Sequence, residues 1–250
     1  MYPYLDHDGP IAMAHRGGAR HPELIGYENT LFAFEHAVGL GYRYLETDLH
    51  ATSDGVVIAF HDDRLDRVTD RTGLISALPW SEVRQARING REPIPRLDEL
   101  LDHFPAVRFN LDIKHENGLV PAADVLRAAN ALDRVCVSSF SQSRVRRIRK
   151  LLGPRLCTGY GDRETALLRF LPFALPSQGA CLQIPEHYKS FTVLTPGLIT
   201  RAHSRGKQVH VWTVDDPPTM HRMLDAGVDG LITDRTDLLR QVLTDRGQWR

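Results

Sequence analysis

"YLETDLHATSDGVVIAFHDD" (residues 44–63) opens as a β-strand, yet it carries two acids, Glu46 and Asp48. Successive side chains of a strand point to opposite faces. Both carboxylates therefore share one face, and Leu45, Thr47 and Leu49 share the other. An apolar interior does not accept two like charges side by side unless something neutralises them. A Ser-Asp-Gly turn and a second apolar run, "VVIAF" (56–60), then deliver His61 followed by two more acids.

Outward from this stretch, strand-like and helix-like runs alternate. "IAMAH" (11–15), "VRFNLDI" (107–113), "RVCVSSF" (134–140), "RLCTGY" (155–160), "ACLQI" (180–184), "QVHVWTV" (208–214) and "DGLIT" (229–233) read as strands. Between them, "NTLFAFEHAV" (29–38), "GLVPAADVLRAANAL" (118–132), "SQSRVRRIRKLL" (141–152), "TPGLITRAHSR" (195–205), "PTMHRMLDAG" (218–227) and "RTDLLRQVL" (235–243) have helical spacing. Ser141 and Thr195 are expected N-caps, with Pro196 at the first helical position. Leaving out "VVIAF", eight strands separated by helices or long loops imply parallel pairing and a (β/α)8 TIM barrel in one domain over residues 1–250. A doubly wound open sheet usually has a glycine-rich dinucleotide loop after its first strand, and "HRGGAR" is not one. The segment from about 51 to 96 is too long for one crossover. It reads as a small insertion, with a short helix near Ser81–Ala86, before "LDELLDHF" (97–104) supplies the barrel helix.

Formal net charge is zero, which argues against a polyanion-binding surface and hence against nucleic acid. No apolar run reaches the roughly 18 residues of a membrane span, so no stable membrane insertion is expected. The N-terminus resembles no signal segment, and the expected location is the cytoplasm. Cys136, Cys157 and Cys181 lie far apart and form no CxxC pair, so they read as buried small hydrophobes. His210 reads as a core histidine below Trp212, and "RVRRIRK" (144–150) as the solvated face of a helix. "LLRFLPFAL" (167–175) reads as a helix plus a packing loop, or as an apolar lip.

Active sites of parallel barrels sit at the C-terminal ends of the strands. By parity, His15 lies on the face of Ile11 and Met13. Asn110, Asp112 and Lys114 share a face, as do His210 and Trp212. Glu46, Asp48 and Asp112 thus converge on one mouth. A divalent cation, Mg2+ or Ca2+ for all-oxygen ligation, would neutralise them, and so would an ion-pair network with Lys114 and nearby arginines. His15, followed by Arg16 and Gly17, and His61 add proton-transfer groups. Together with the acids they suggest phosphoryl transfer with acid–base help.

The ordered set "HRGG…ENT" (15–18, 28–30), "ETD" (46–48), "SDGVVIAFHDDRLDRVTDRTG" (53–73), "IPRLDELL" (94–101), "LDIK" (111–114), "VHVWTVDD" (209–216) and "GVDGLITD" (227–234) resembles the glycerophosphodiester phosphodiesterase family over nearly the whole chain. The resemblance implies a barrel with the insertion above, and hydrolysis of glycerophosphodiesters to an alcohol and glycerol 3-phosphate. It implies His15 and His61 as the acid–base pair and Glu46 and Asp48 as metal ligands. It implies Arg16 and Lys114 on the phosphate, Glu28 as part of the site and Trp212 as an aromatic wall. The third acid is commonly Glu in this family. Asp112 is one methylene shorter, and ligates directly after a small shift or through water. Two rival readings remain at this point. One is a lysophospholipase D-like or sphingomyelinase D-like phosphodiesterase on the same barrel, and the other is a non-catalytic binding barrel. The oligomeric state has no signature in the sequence.

Overall fold

The computed structural model describes residues 2–171 and 177–249. Eight parallel strands form the barrel: β1 (Ile11–His15), β2 (Tyr44–Ala51), β3 (Arg108–Ile113), β4 (Val135–Ser138), β5 (Cys157–Thr158), β6 (Cys181–Pro185), β7 (Gln208–Trp212) and β8 (Gly230–Thr233). Hydrogen bonding runs from β5 back to β1, then through β8 and β7 to β6. A parallel bridge between Gly159, just past β5, and Cys181 of β6 closes the ring. Helices α1 (Leu31–Gly39), α2 (Leu97–His103), α3 (Leu119–Ala128), α4 (Gln142–Leu152), α5 (Asp162–Phe170), α6 (Pro196–His203), α7 (Pro217–Asp225) and α8 (Thr236–Asp245) follow the strands in turn. Ser141 and Thr195 cap α4 and α6 as their positions suggest, each accepting from the backbone N–H three residues on.

The two faces of each strand have different fates. Leu45 and Leu49 of β2, Phe109 and Leu111 of β3, and Val209 and Val211 of β7 point outward into the main core beneath the helices. The opposite parity fills the barrel. Ile11, Met13, Tyr44, Cys136, Cys157, Cys181 and Ile232 pack there with Tyr4, from the short helical turn Pro3–Leu5. Tyr4 is fully buried, its ring edge-on to Tyr44 at 5.3 Å, and the Tyr44 hydroxyl donates to the Tyr4 carbonyl. The segment before β1 therefore plugs the barrel. A buried side chain of this size contributes about 2 kcal/mol of apolar burial.

The insertion is present and has a small core of its own, built on Ile58, Phe60, Leu65, Ile75, Val83 and Ile88. Its strand Val57–Ala59 runs antiparallel to the end of β2. Its helix spans only Trp80–Val83, shorter than expected, because the next residues enter a tight hairpin. Arg87–Ile88 pairs with Glu92–Pro93 around Asn89-Gly90, both at positive φ, as such turns require. Helix α5 ends at Phe170, and residues 172–175 of the "LLRFLPFAL" stretch lie outside the described residues. No helix among the described residues is long and apolar enough to cross a membrane.

Candidate active site

β1 delivers His15 to the mouth, and the chain then turns sharply through Arg16 (φ 51°), Gly17 (φ 86°) and Gly18 (φ 104°). A Cβ on Gly17 would stand 2.7 Å from the Ala33 Cβ of α1, and one on Gly18 would stand 2.9 Å from the Thr236 side chain of α8. The two glycines thus let the loop lie against both helices while presenting Arg16. Gly17→Ala combines a left-handed backbone with a clash, and should lower stability by at least about 2 kcal/mol in urea unfolding. A loss under about 0.5 kcal/mol would show that the turn relaxes freely. The "ENT" residues complete the turn. The Asn29 N–H donates to the Arg16 carbonyl (2.9 Å), Asn29 Oδ1 accepts from the Thr47 hydroxyl (2.7 Å), and Thr30 caps α1.

The strand register explains the convergence. His15 faces Glu46 across β1 and β2, and Asp48 faces Asp112 across β2 and β3. Across the β1–β8 seam, Ala14 pairs with Thr233, so the next residues, His15 and Asp234, meet. His15 Nδ1 hydrogen-bonds Asp234 Oδ1 at 2.7 Å, and its Nε2 lies 3.7 Å from Glu46 Oε2. Burial opposes charge on this imidazole, but Glu46 and then Asp234 outweigh it, and the pKa of His15 is raised. Glu46 is pushed up to about 7, first by burial and second by the Asp48 charge. Its Oε2 accepts from the Arg16 backbone N–H at 3.2 Å.

Asp48 and Asp112 are held differently. Lys114 Nζ stands between them, 2.7 Å from Asp48 Oδ1 and 2.6 Å from Asp112 Oδ2. Arg16 Nε lies 3.0 Å from Asp48 Oδ2, an ion contact whose angle makes no hydrogen bond. Against the cost of burial, Lys114 and Arg16 draw the Asp48 pKa down. Burial prevails at Asp112, whose pKa is raised although Lys114 opposes it. The two strongest cation contacts inside the cluster are thus protein side chains. Among the described residues, the acids do not form a set of three ligand atoms within 4.8 Å of one another. The Lys114 ammonium lies between the carboxylates of Asp48 and Asp112. Lys114 satisfies one oxygen of each Asp, and the other two, Asp48 Oδ2 and Asp112 Oδ1, are buried without a hydrogen-bond partner. Unsatisfied carboxylate oxygens beside a third acid are the donor chemistry a hard divalent cation takes, so these residues fit one.

A chain of ion pairs links this cluster to His61. Arg16 contacts Glu28 at 3.3 Å, and Glu28 binds Arg67 through both oxygens, at 2.7 and 3.1 Å. Arg67 reaches Asp62 at 2.6 Å, and Asp62 Oδ1 holds His61 Nδ1 at 2.6 Å. The Arg67 hydrogen bond, with smaller help from His61, lowers the Asp62 pKa against the effect of burial. Both candidate histidines therefore have Nδ1 on a carboxylate and Nε2 left for chemistry. A cleft of about 620 Å3 opens here, lined by His50, His61, Arg67, Lys114, His115 and Arg144 among others. Trp212 stands outside the ion-pair chain. Its ring meets Phe140 edge-on at 5.7 Å, and together they form an aromatic patch.

Asp234, Arg67 and Arg144 are site residues not singled out from the sequence. The "RVRRIRK" helix face is also not simply solvated. Arg144 bonds Ser139 and lines the cleft, and Arg149 is buried against Thr158 Oγ1 (2.6 Å) and the Gly159 carbonyl (3.0 Å). The reason is that α4 turns this edge toward β5, where loose carbonyl and hydroxyl oxygens need donors.

The family model for the "Glycerophosphoryl diester phosphodiesterase family" matches residues 15–238, which include His15, both strand acids, Asp112 and Asp234. The chain belongs to this family. It is 41% identical, over 98% of its length and 95% of the relative's, to the Mycobacterium tuberculosis protein named "Probable glycerophosphodiester phosphodiesterase 2". The fold matches a solved Silicibacter pomeroyi structure assigned as a glycerophosphoryl diester phosphodiesterase, with TM-score 0.86, 24% identity and 100% of both chains covered. It also matches an Oleispira antarctica phosphodiesterase solved with its product sn-glycerol-3-phosphate, with TM-score 0.78, 24% identity, and 94% of this chain and 97% of that one covered. The chain is thus a glycerophosphodiester phosphodiesterase, a hydrolase on a TIM barrel.

Proposed function

We propose that the enzyme releases glycerol 3-phosphate from small glycerophosphodiesters by acid–base catalysis between His15 and His61, with a divalent cation at the acid cluster. One observation carries the reading. Two imidazoles, on different elements joined by one chain of ion pairs through Arg16, Glu28, Arg67 and Asp62, each have Nδ1 held by a carboxylate. Such pairing fixes the tautomer and aims Nε2 at the reacting group. His15, with its proton retained by Asp234 and Glu46, is the general acid for the departing alkoxide. His61 takes the proton of the attacking oxygen. Arg16 and Lys114 bring positive charge to the non-bridging phosphate oxygens, where charge grows in the transition state. Trp212 and Phe140 offer an apolar wall for the glycerol carbons.

Glu46, Asp48 and Asp112 would hold the cation, Mg2+ or Ca2+. It would supply Lewis-acid charge on the phosphate. Because burial and the Asp48 charge raise the Glu46 pKa, cation binding favours its ionised form, and affinity should rise with pH. Prolonged dialysis against EDTA should abolish turnover, and either ion should restore it. Full activity on glycerophosphocholine in excess chelator would sink the metal assignment. We place the enzyme in the cytoplasm, where its three free cysteines would stay reduced.

A further inference from the structure

Cys136, Cys157 and Cys181 come from positions far apart in the chain, yet the barrel stacks them. Cys136 and Cys157 are direct register partners on β4 and β5, and Cys181 begins β6. All three are free thiols with no solvent exposure, and their sulfurs lie within 4.8 Å of one another. Cys136 Sγ and Cys181 Sγ are 3.8 Å apart. Thiolates on a tetrahedral Zn2+ with bonds of about 2.3 Å lie about 3.8 Å apart too. Contact alone can bring two thiols this close. It does not account for three thiols with an imidazole alongside them.

That imidazole is His210. It has no solvent exposure, and its field falls on Cys181. Its Nε2 is engaged by Gln208 Oε1 at 3.1 Å, while Nδ1 is buried with no hydrogen-bond partner. Such an arrangement, one ring nitrogen oriented by a side-chain oxygen and the other bare, is what a metal-ligating histidine shows. His210 is not one of the set of three, but its side chain interacts with that of Cys181. Charged neighbours surround the trio. Arg149 acts on Cys157, and Lys207 lies within the field of both Cys157 and Cys181, giving the cluster positive neighbours.

We propose that Cys136, Cys157 and Cys181, completed by His210, form a structural site for a thiophilic cation, Zn2+, inside the barrel. The donor set is soft, so Mg2+ and Ca2+ do not compete for it, and the site is separate from the oxygen-donor cluster at the mouth. A disulfide does not explain the trio equally well. Strands two apart in a sheet lie about 9–10 Å from each other, beyond the reach of a Cys136–Cys181 bond. Cys136–Cys157 alone would leave Cys181 and His210 without a role. Tyr4 packs over the cluster, so the ion would be taken up as the chain folds.

Enzyme purified from zinc-supplemented culture and dialysed against EDTA should retain about one Zn2+ per chain by elemental analysis. The mercurial-driven release of that zinc should follow thiol modification. Cobalt-loaded enzyme should show thiolate-to-metal charge transfer and tetrahedral ligand-field bands. Gln208→Leu keeps every ligand but frees the His210 ring, and should weaken zinc binding about 10- to 100-fold. Cys136→Ser and Cys181→Ser should lose the zinc, and the folded variants should keep their Mg2+- or Ca2+-supported turnover. If a serine variant fails to fold, the wild-type cobalt spectrum decides. Wild-type enzyme without zinc and without the charge-transfer band would overturn the site. So would a Cys136–Cys157 disulfide in the purified protein.

Discussion

His15→Ala and His61→Ala should each lower kcat by about 10²- to 10⁴-fold, with much smaller changes in KM, because proton transfer matters mainly in the transition state. The two variants should then diverge. A nitrophenyl diester leaves without needing a proton, so His15→Ala should recover much of its rate on that substrate, and His61→Ala should not. Wild-type kcat/KM should be bell-shaped in pH. The alkaline limb belongs to His15, whose pKa is raised above its ordinary 6.5 once Glu46 and Asp234 overcome burial. The same shift has a stability consequence. The contribution is fully present below about 6.5 and is lost as pH rises through the folded-state value. Asp234→Asn weakens the hold on Nδ1, so it should move the alkaline limb to lower pH and reduce that stability term, leaving the part due to Glu46. Rescue of both alanine variants, or of neither, would mean that the acid and base are wrongly divided.

The parity of "YLETDLH" made the two-faced strand legible, and with it the barrel and the group of Glu46, Asp48 and Asp112. Local spacing also carried the N-caps and the insertion. What it did not single out was which residues the closing of the ring brings together. His15 and Asp234 are separated by 219 positions and become neighbours only because β1 seals against β8. The same closure stacks three cysteines that show no motif spacing, since metal-site patterns assume ligands on one turn or hairpin. Arg149 illustrates a third limit. A helix face looks solvated by composition, but what faces it across the strands is set by packing. The sequence also left two ways to neutralise the acids, a cation or an ion-pair network. In the structure Lys114 and Arg16 supply the second, while Asp48 Oδ2 and Asp112 Oδ1 stay without a hydrogen-bond partner.

In the mechanism proposed above, Lys114 serves both stability and catalysis. Its ammonium is the shared partner of Asp48 and Asp112, whose side chains are only 2% and 12% exposed. Lys114→Met keeps the stem volume and removes the charge. Breaking a buried pair strands the remaining charges, at a cost of about 3–5 kcal/mol. The loss should be read from urea unfolding at pH 7 in chelator. It should shrink as the pH falls, because Asp112 already has a raised pKa and takes a proton once its counter-ion is gone. A carboxyl whose folded pKa lies above its ordinary 3.8 is destabilising above that folded value and harmless below both. Adding Asp112→Asn should restore most of the stability by removing the uncompensated charge. Activity in Mg2+ should stay about 10²- to 10³-fold down in the single and the double variant, since neither returns a cation to the phosphate. Recovery of stability in the double variant would show that the structural part of the lysine is to neutralise Asp112. A Lys114→Met variant destabilised by less than about 1 kcal/mol at pH 7 would show that Asp48 and Asp112 are neutralised by something else.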